Sequence, residues 1–186
     1  MGARHVLFGF AVGVVLAAGC DRTAPTEPDA PEAAVVGPQP AAKGLDADGT
    51  MHLSEEDRCP VCAMRPAEHA DFACAIELKD GRTFAFCGTG CMIRSWLHPE
   101  VHLGVGREQL GRAVVRDWLR GEPLDASAAI WVAGSDVVGP MGPALVPLRD
   151  EADLEVFRAR HGGTDTFRLD ELDDARWLEL TGKPAG

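Results

Sequence analysis

Apolar residues alternate with other residues from Phe72 to Leu78, around Phe72, Cys74, Ile76 and Leu78, and a second short apolar run covers Thr83 to Cys87. Lys79-Asp80-Gly81-Arg82 lies between them, and Asp-Gly between two such runs predicts a β-hairpin. After Gly88-Thr89-Gly90, the segment CMIRSWLH spaces Met92, Trp96 and Leu97 as on a helix that Pro99 ends, and Arg112 to Leu119 predicts a further strand. The order then repeats. Ala129 to Val132 predicts a strand, Gly139 to Pro143 a tight connection and Ala144 to Leu148 its partner; a helix capped by Asp150 ends at His161-Gly162-Gly163, Thr166 to Leu169 predicts a short strand, and Leu172 to Leu180 a last amphipathic helix. The expected fold class is α+β, with two similar β-β-α-β halves forming one small domain.

The front of the chain is different. Val6 to Ala18 is an apolar run broken only by glycine, behind Arg4 and His5, and it closes on Leu16-Ala17-Ala18-Gly19-Cys20. It is shorter than the about 20 apolar residues a membrane span needs, and it predicts a secretory signal peptide. The end of the run resembles a bacterial lipoprotein signal, which makes Cys20 the lipidated first residue of the mature chain, although Ala17 stands where a larger aliphatic residue is usual. Residues from Asp21 to Gly49 are rich in Ala, Pro, Asp and Glu without an aromatic residue, a composition that cannot bury enough surface to offset its entropy. The expected organisation is therefore a signal over 1–19, a lipidated N-terminus and disordered linker over 20–49, and a folded domain over 50–186 with halves of about 50–122 and 123–186. The net charge of −11 argues against nucleic acid as a partner, because phosphate binding needs a basic face.

Chemistry concentrates in one stretch. From Arg58 to Trp96 lie five of the six cysteines and two of the five methionines. Thiolate and thioether sulfur are polarisable ligands that select Cu(I), zinc or iron–sulfur clusters over hard ions. Cys59-Pro-Val-Cys62 brings two sulfurs into one turn, and Met64 follows Cys62 at the spacing that lets two side chains point the same way. Met141, between Gly139-Pro140 and Gly142-Pro143, is a candidate further ligand, and His69 is the nearest imidazole. Each has a plainer reading, since methionine commonly fills cores and His69 suits a loop surface. Cys87, Cys91 and Met92 form a candidate second metal or disulfide site. With Cys59 and Cys62, the first two complete C-x2-C-x24-C-x3-C, near the spacing of a structural four-cysteine zinc site. A third reading makes the CxxC a thiol–disulfide exchange site, but no apolar strand precedes it as in thioredoxin-like chains.

The motif CPVCAM, the segment HADFACAIELKDGRTFAF, then GCMIRSW, and in the second half WVAGSDVVGPMGPALVPL together resemble the NosL family over about Arg58 to Glu171. That resemblance implies a pair of β-β-α-β units in a periplasm-facing copper-binding lipoprotein that assists maturation of nitrous oxide reductase. It also implies Cu(I) held by cysteine and methionine, with histidine implicated, and it matches the copper-binding positions to Cys62, Met64 and Met141. Two departures stand out. Ala63 replaces the family's usual glycine, at little cost if its φ is negative, and Cys87-Gly88 replaces acidic residues, which suits a relative serving another cuproenzyme.

The expected function is that of a membrane-tethered metallochaperone and not of an enzyme. It would carry Cu(I) to a client apo-cuproenzyme, nitrous oxide reductase or a relative, from the periplasmic side of the cell envelope. A zinc-stapled interaction module is the alternative. The expected partners are the client, the membrane through the lipid anchor and, as an option the sequence leaves open, a second copy of the chain in a homodimer.

Overall fold

A computed structural model describes residues 37–186; the expected signal peptide, Cys20 and the linker up to residue 36 lie outside the described residues. The first half runs β1 (Cys74–Leu78), β2 (Thr83–Phe86), α1 (Thr89–Leu97), a short α2 (Pro99–His102) and β3 (Leu110–Arg116), with β4 (Pro123–Asp125) added after it. The second half runs β5 (Ile130–Ser135), β6 (Val138–Gly139), β7 (Gly142–Pro143), β8 (Val146–Leu148), α3 (Glu151–His161) and β9 (Gly162–Phe167), closed by α4 (Asp174–Thr181). In each half the first strand is central: the sheets are ordered β2-β1-β3-β4 and β8-β5-β9, all antiparallel. This is the expected pair of β-β-α-β units.

The hairpin forms where Asp80-Gly81 predicts it. Gly81 takes φ 87°, and the β1–β2 register pairs Cys74 with Phe86 and Ile76 with Phe84. Both β1 and β2 are buried almost throughout, because α1 and the second half cover them. One hydrophobic core therefore runs through both halves, joining Ile76, Phe84, Phe86 and Met92 to Trp131, Phe167 and Trp177. Trp131 stacks on Phe167 at 6.0 Å between centroids and donates from Nε1 to the Ala126 carbonyl at 3.0 Å, so its one polar atom is satisfied inside the core. A second cluster of Val132, Val146, Leu148, Leu154 and Phe157 lies under α3, on the opposite face of β5.

Three boundaries differ from the expectation. The third strand stops at Arg116, not Leu119: buried Asp117 accepts the Arg120 amide, and the Gly121 amide returns to the Asp117 carbonyl, so the chain turns there while Trp118 and Leu119 join the second cluster. The connection at 139–143 is itself a small hairpin, β6–β7, which turns at Pro140-Met141 and re-enters β7 at Gly142 with φ 108°. The strand β9 begins at once behind α3, because Gly162 and Gly163 at φ 69° and 123° reverse the chain without a loop.

The domain's contacts also begin before Thr50. The Ala41 amide donates to the Thr83 carbonyl at 2.7 Å, Leu45 bridges Met51, and Arg112 donates to the carbonyls of Asp46 and Ala47. Buried Asp57 ties this segment to the loop that carries Cys59, accepting the amides of Ala42 and Ser54 at 2.8 Å each. Hydrogen bonds to a charged group contribute roughly 1.5–3 kcal/mol each. Asp57→Ala is therefore expected to lower the unfolding free energy by about 2–4 kcal/mol, read as the midpoint shift in urea denaturation of the reduced, metal-free chain.

Candidate metal centre

Two local structures meet to build the site. The first is the loop of CPVCAM. Its ends are closed by the Cys59 amide donating to the Met64 carbonyl at 2.9 Å and the Ala63 amide donating to the Cys59 carbonyl at 2.8 Å. The second is the junction between β2 and α1, where Cys87 follows the last strand residue, Gly88 is the helix N-cap in an extended conformation, and Cys91 sits in the first helical turn. No side chain caps this helix. The Thr89 hydroxyl instead donates to the Leu145 carbonyl at 2.7 Å, which anchors the helix start to the second half.

The sulfurs of Cys59, Cys62, Cys87 and Cys91 all lie within 4.8 Å of one another. Cys62 is 3.3 Å from Cys87 and 3.9 Å from Cys91, and Cys87 is 4.0 Å from Cys91. All four are free thiols. Cys59, Cys87 and Cys91 are 2%, 0% and 2% exposed, whereas Cys62 is half-buried at the edge of the core. The two cysteine pairs, expected in separate sites, thus form one group, as the C-x2-C-x24-C-x3-C spacing allows.

The electrostatics follow from that crowding. The neighbouring sulfurs of Cys87 and Cys91 push the Cys59 thiol well below the usual thiol range, against the opposing effect of burial. Proximity to the Cys59 sulfur and burial push the Cys87 and Cys91 thiols the other way, well above that range. Several thiolates crowded together in this buried setting would be costly without a cation. The donor set contains sulfur alone, without carboxylate or imidazole, and its spacing lets one ion with metal–sulfur bonds of about 2.3 Å reach several sulfurs together. Such a set fits a soft ion and not a hard one.

The other candidates are distributed around this group. Met64 is half-buried against the main core, beside Cys62. Met141, at the tip of the β6–β7 hairpin, is 50% exposed. It shares with Cys91 the wall of a 510 Å³ cavity that also takes in Thr89, Arg94, Pro140 and Trp177. Met92 is fully buried in α1. His69 ends a 3-10 turn over Pro66–His69 and is outside the four-sulfur group; its carbonyl accepts the Phe72 amide. Cys74 is buried on β1 and its thiol is pushed up by burial, with the charges of Cys59 and Cys87 adding. The cavity beside Cys91 was not visible in the sequence, because α4 and the β6–β7 hairpin, which line it, are remote from α1 along the chain.

The NosL family model matches residues 50–177, which include every member of the site. The chain belongs to the NosL family. It is 30% identical over 136 residues to the copper-binding lipoprotein NosL of Stutzerimonas stutzeri, covering 71% of this chain and 70% of that one. The crystal structure of the copper chaperone NosL from Shewanella denitrificans superposes with a TM-score of 0.56 at 22% identity, over 70% of this chain and 99% of that chain, and so shares the fold.

Within this NosL domain, Ala63 departs from the expectation of a cheap turn. Its φ is 60°, and among the described residues it is the one non-glycine residue with a positive φ. The left-handed conformation costs a residue with a Cβ roughly 1–2 kcal/mol, so the loop that presents Cys59 and Cys62 is strained at Ala63. Ala63→Gly relieves the strain but adds entropy to the unfolded chain. The net expectation is a gain of about 0.5–1 kcal/mol in metal-free stability, measured by chemical denaturation, with Ala63→Val moving the midpoint the other way.

Proposed function

We propose that this NosL-family chain is a membrane-tethered Cu(I)-binding metallochaperone, held by a lipid on Cys20 at the periplasmic side of the cell envelope, that hands copper to nitrous oxide reductase or a related cuproenzyme. The observation that carries the reading is the convergence of four free thiol sulfurs within 4.8 Å in one buried group, inside this family's domain. The naming of one relative as a copper-binding lipoprotein and of another as a copper chaperone supports the choice of cargo.

Roles follow from exposure and chemistry. Half-buried Cys62 and Met64, with exposed Met141, are the sulfurs an incoming ion meets first. A thioether binds Cu(I) without losing a proton, which suits capture and release, whereas each thiol that joins must give up its proton. Cys59, Cys87 and Cys91 form the buried end of the same group, and His69 is assigned to the periphery. Transfer is an exchange of ligands, with a client sulfur or imidazole replacing the chain's own donors one at a time. No bond in a substrate is made or broken, so the chain is assigned no catalytic residue.

A second reading has its own support: four cysteines without a thioether among them are also the donor set of a structural zinc site. The two separate in a competition experiment on the reduced chain offered Cu(I) and excess zinc. The copper reading expects one Cu(I) retained per chain. It also expects retention to weaken by at least about tenfold, or about 1.4 kcal/mol, in Cys62→Ser and measurably in Met141→Ala, with circular dichroism unchanged. Tight zinc, indifferent to Met64→Ala and Met141→Ala and needed for folding, would overturn it.

A further inference from the structure

Access and distance single out one pair within the four-sulfur group. Cys62 is the member that solvent reaches, while Cys59, Cys87 and Cys91 are buried. Cys87 is its nearest sulfur at 3.3 Å, against 3.9 Å to Cys91. Forming an S–S bond of about 2.0 Å between Cys62 and Cys87 requires a shift of about 1 Å. The CxxC spacing suggests Cys59 and Cys62 as the reactive pair, but the sulfur contacts of Cys62 are with Cys87 and Cys91 and not with Cys59.

We infer that Cys62 and Cys87 form a redox couple, a disulfide modification site that closes the metal centre when the chain meets a disulfide oxidant. In the forward direction the Cys62 sulfur attacks one sulfur of an external disulfide, RSSR. The R–S–S–R bond breaks, a mixed Cys62–S–S–R disulfide forms, and one RSH leaves with a proton. The Cys87 sulfur then attacks Cys62 and expels the second RSH. Two cysteine thiols are oxidised to one disulfide and one RSSR is reduced to two RSH, so atoms and electrons balance. Only Cys59 and Cys91 remain as free thiols in the centre, and the bond joins the CPVCAM loop to Cys87 at the end of β2. An oxidising compartment favours the bond, so a dithiol-reducing reaction must precede metal loading. The consequence for copper rests on the function proposed above; the identity of the disulfide does not.

The test treats the full reduced, metal-free chain with oxidised glutathione and locates the linked cysteines by fragment-ion mass spectrometry after alkylation of the remaining thiols. The expected product is a Cys62–Cys87 disulfide, formed in wild type and in Cys59→Ser, and absent from Cys62→Ser and Cys87→Ser. The oxidised chain is expected to retain at least tenfold less Cu(I) than the reduced chain, with retention restored by dithiothreitol. A bond at Cys59–Cys62 or Cys87–Cys91, or four thiols that stay open to alkylation, would overturn the inference. If the reduced chain held no Cu(I) while the Cys62–Cys87 bond still formed, the copper function would fail and the redox couple would stand.

Discussion

Four thiol sulfurs crowded into the interior are the constraint around which the first half of the domain is arranged. A nonpolar core resists holding several thiolates at once, and in the metal-free protein Cys59 is favoured as the anion over Cys87 and Cys91. A soft cation relieves the same crowding by compensating more thiolates as their protons leave. The neighbouring structure holds the sulfurs at that distance. Two backbone bonds close the loop from Cys59 to Met64, Ala63 accepts a left-handed backbone to complete it, and buried Asp57 fastens the loop to the segment before it.

The two halves of the internal repeat differ at the site. At equivalent places in the two halves, a strand passes through two residues into a helix: β2 through Cys87-Gly88 into α1, and β8 through Arg149-Asp150 into α3. In the second half Asp150 caps the helix through the Asp153 amide, and Asp153 pairs with Arg120, a conventional helix start. In the first half the cap is glycine, no carboxylate occupies the first turn, and cysteines stand where Arg149 and Asp153 stand in the other. The second half holds none of the four cysteines but contributes position: the Leu145 carbonyl fixes Thr89, and the β6–β7 hairpin sets Met141 on the wall that Cys91 shares.

Much of this was legible along the chain because it rests on local rules. Alternation located β1 and β2, Asp80-Gly81 their turn, and Asp150 with Gly162-Gly163 the limits of α3. What was not legible depends on tertiary contacts or on a backbone angle. Asp117 ends β3 early because it is buried and bonds its own turn, which an apolar run interrupted by one aspartate does not reveal. Ala63 carries no sign of its positive φ. The union of the two cysteine pairs was readable only as a spacing; the β1–β2 register, which sets where β2 ends and Cys87 begins, makes it a site.

The most direct measurement is X-ray absorption at the copper edge of the Cu(I)-loaded chain, compared with the Cys62→Ser and Met141→Ala variants. A first shell of sulfur alone is predicted, with fewer sulfur neighbours in the Cys62 variant. A shell dominated by nitrogen or oxygen, unchanged by either substitution, would contradict a centre built on the four cysteines and their flanking methionines.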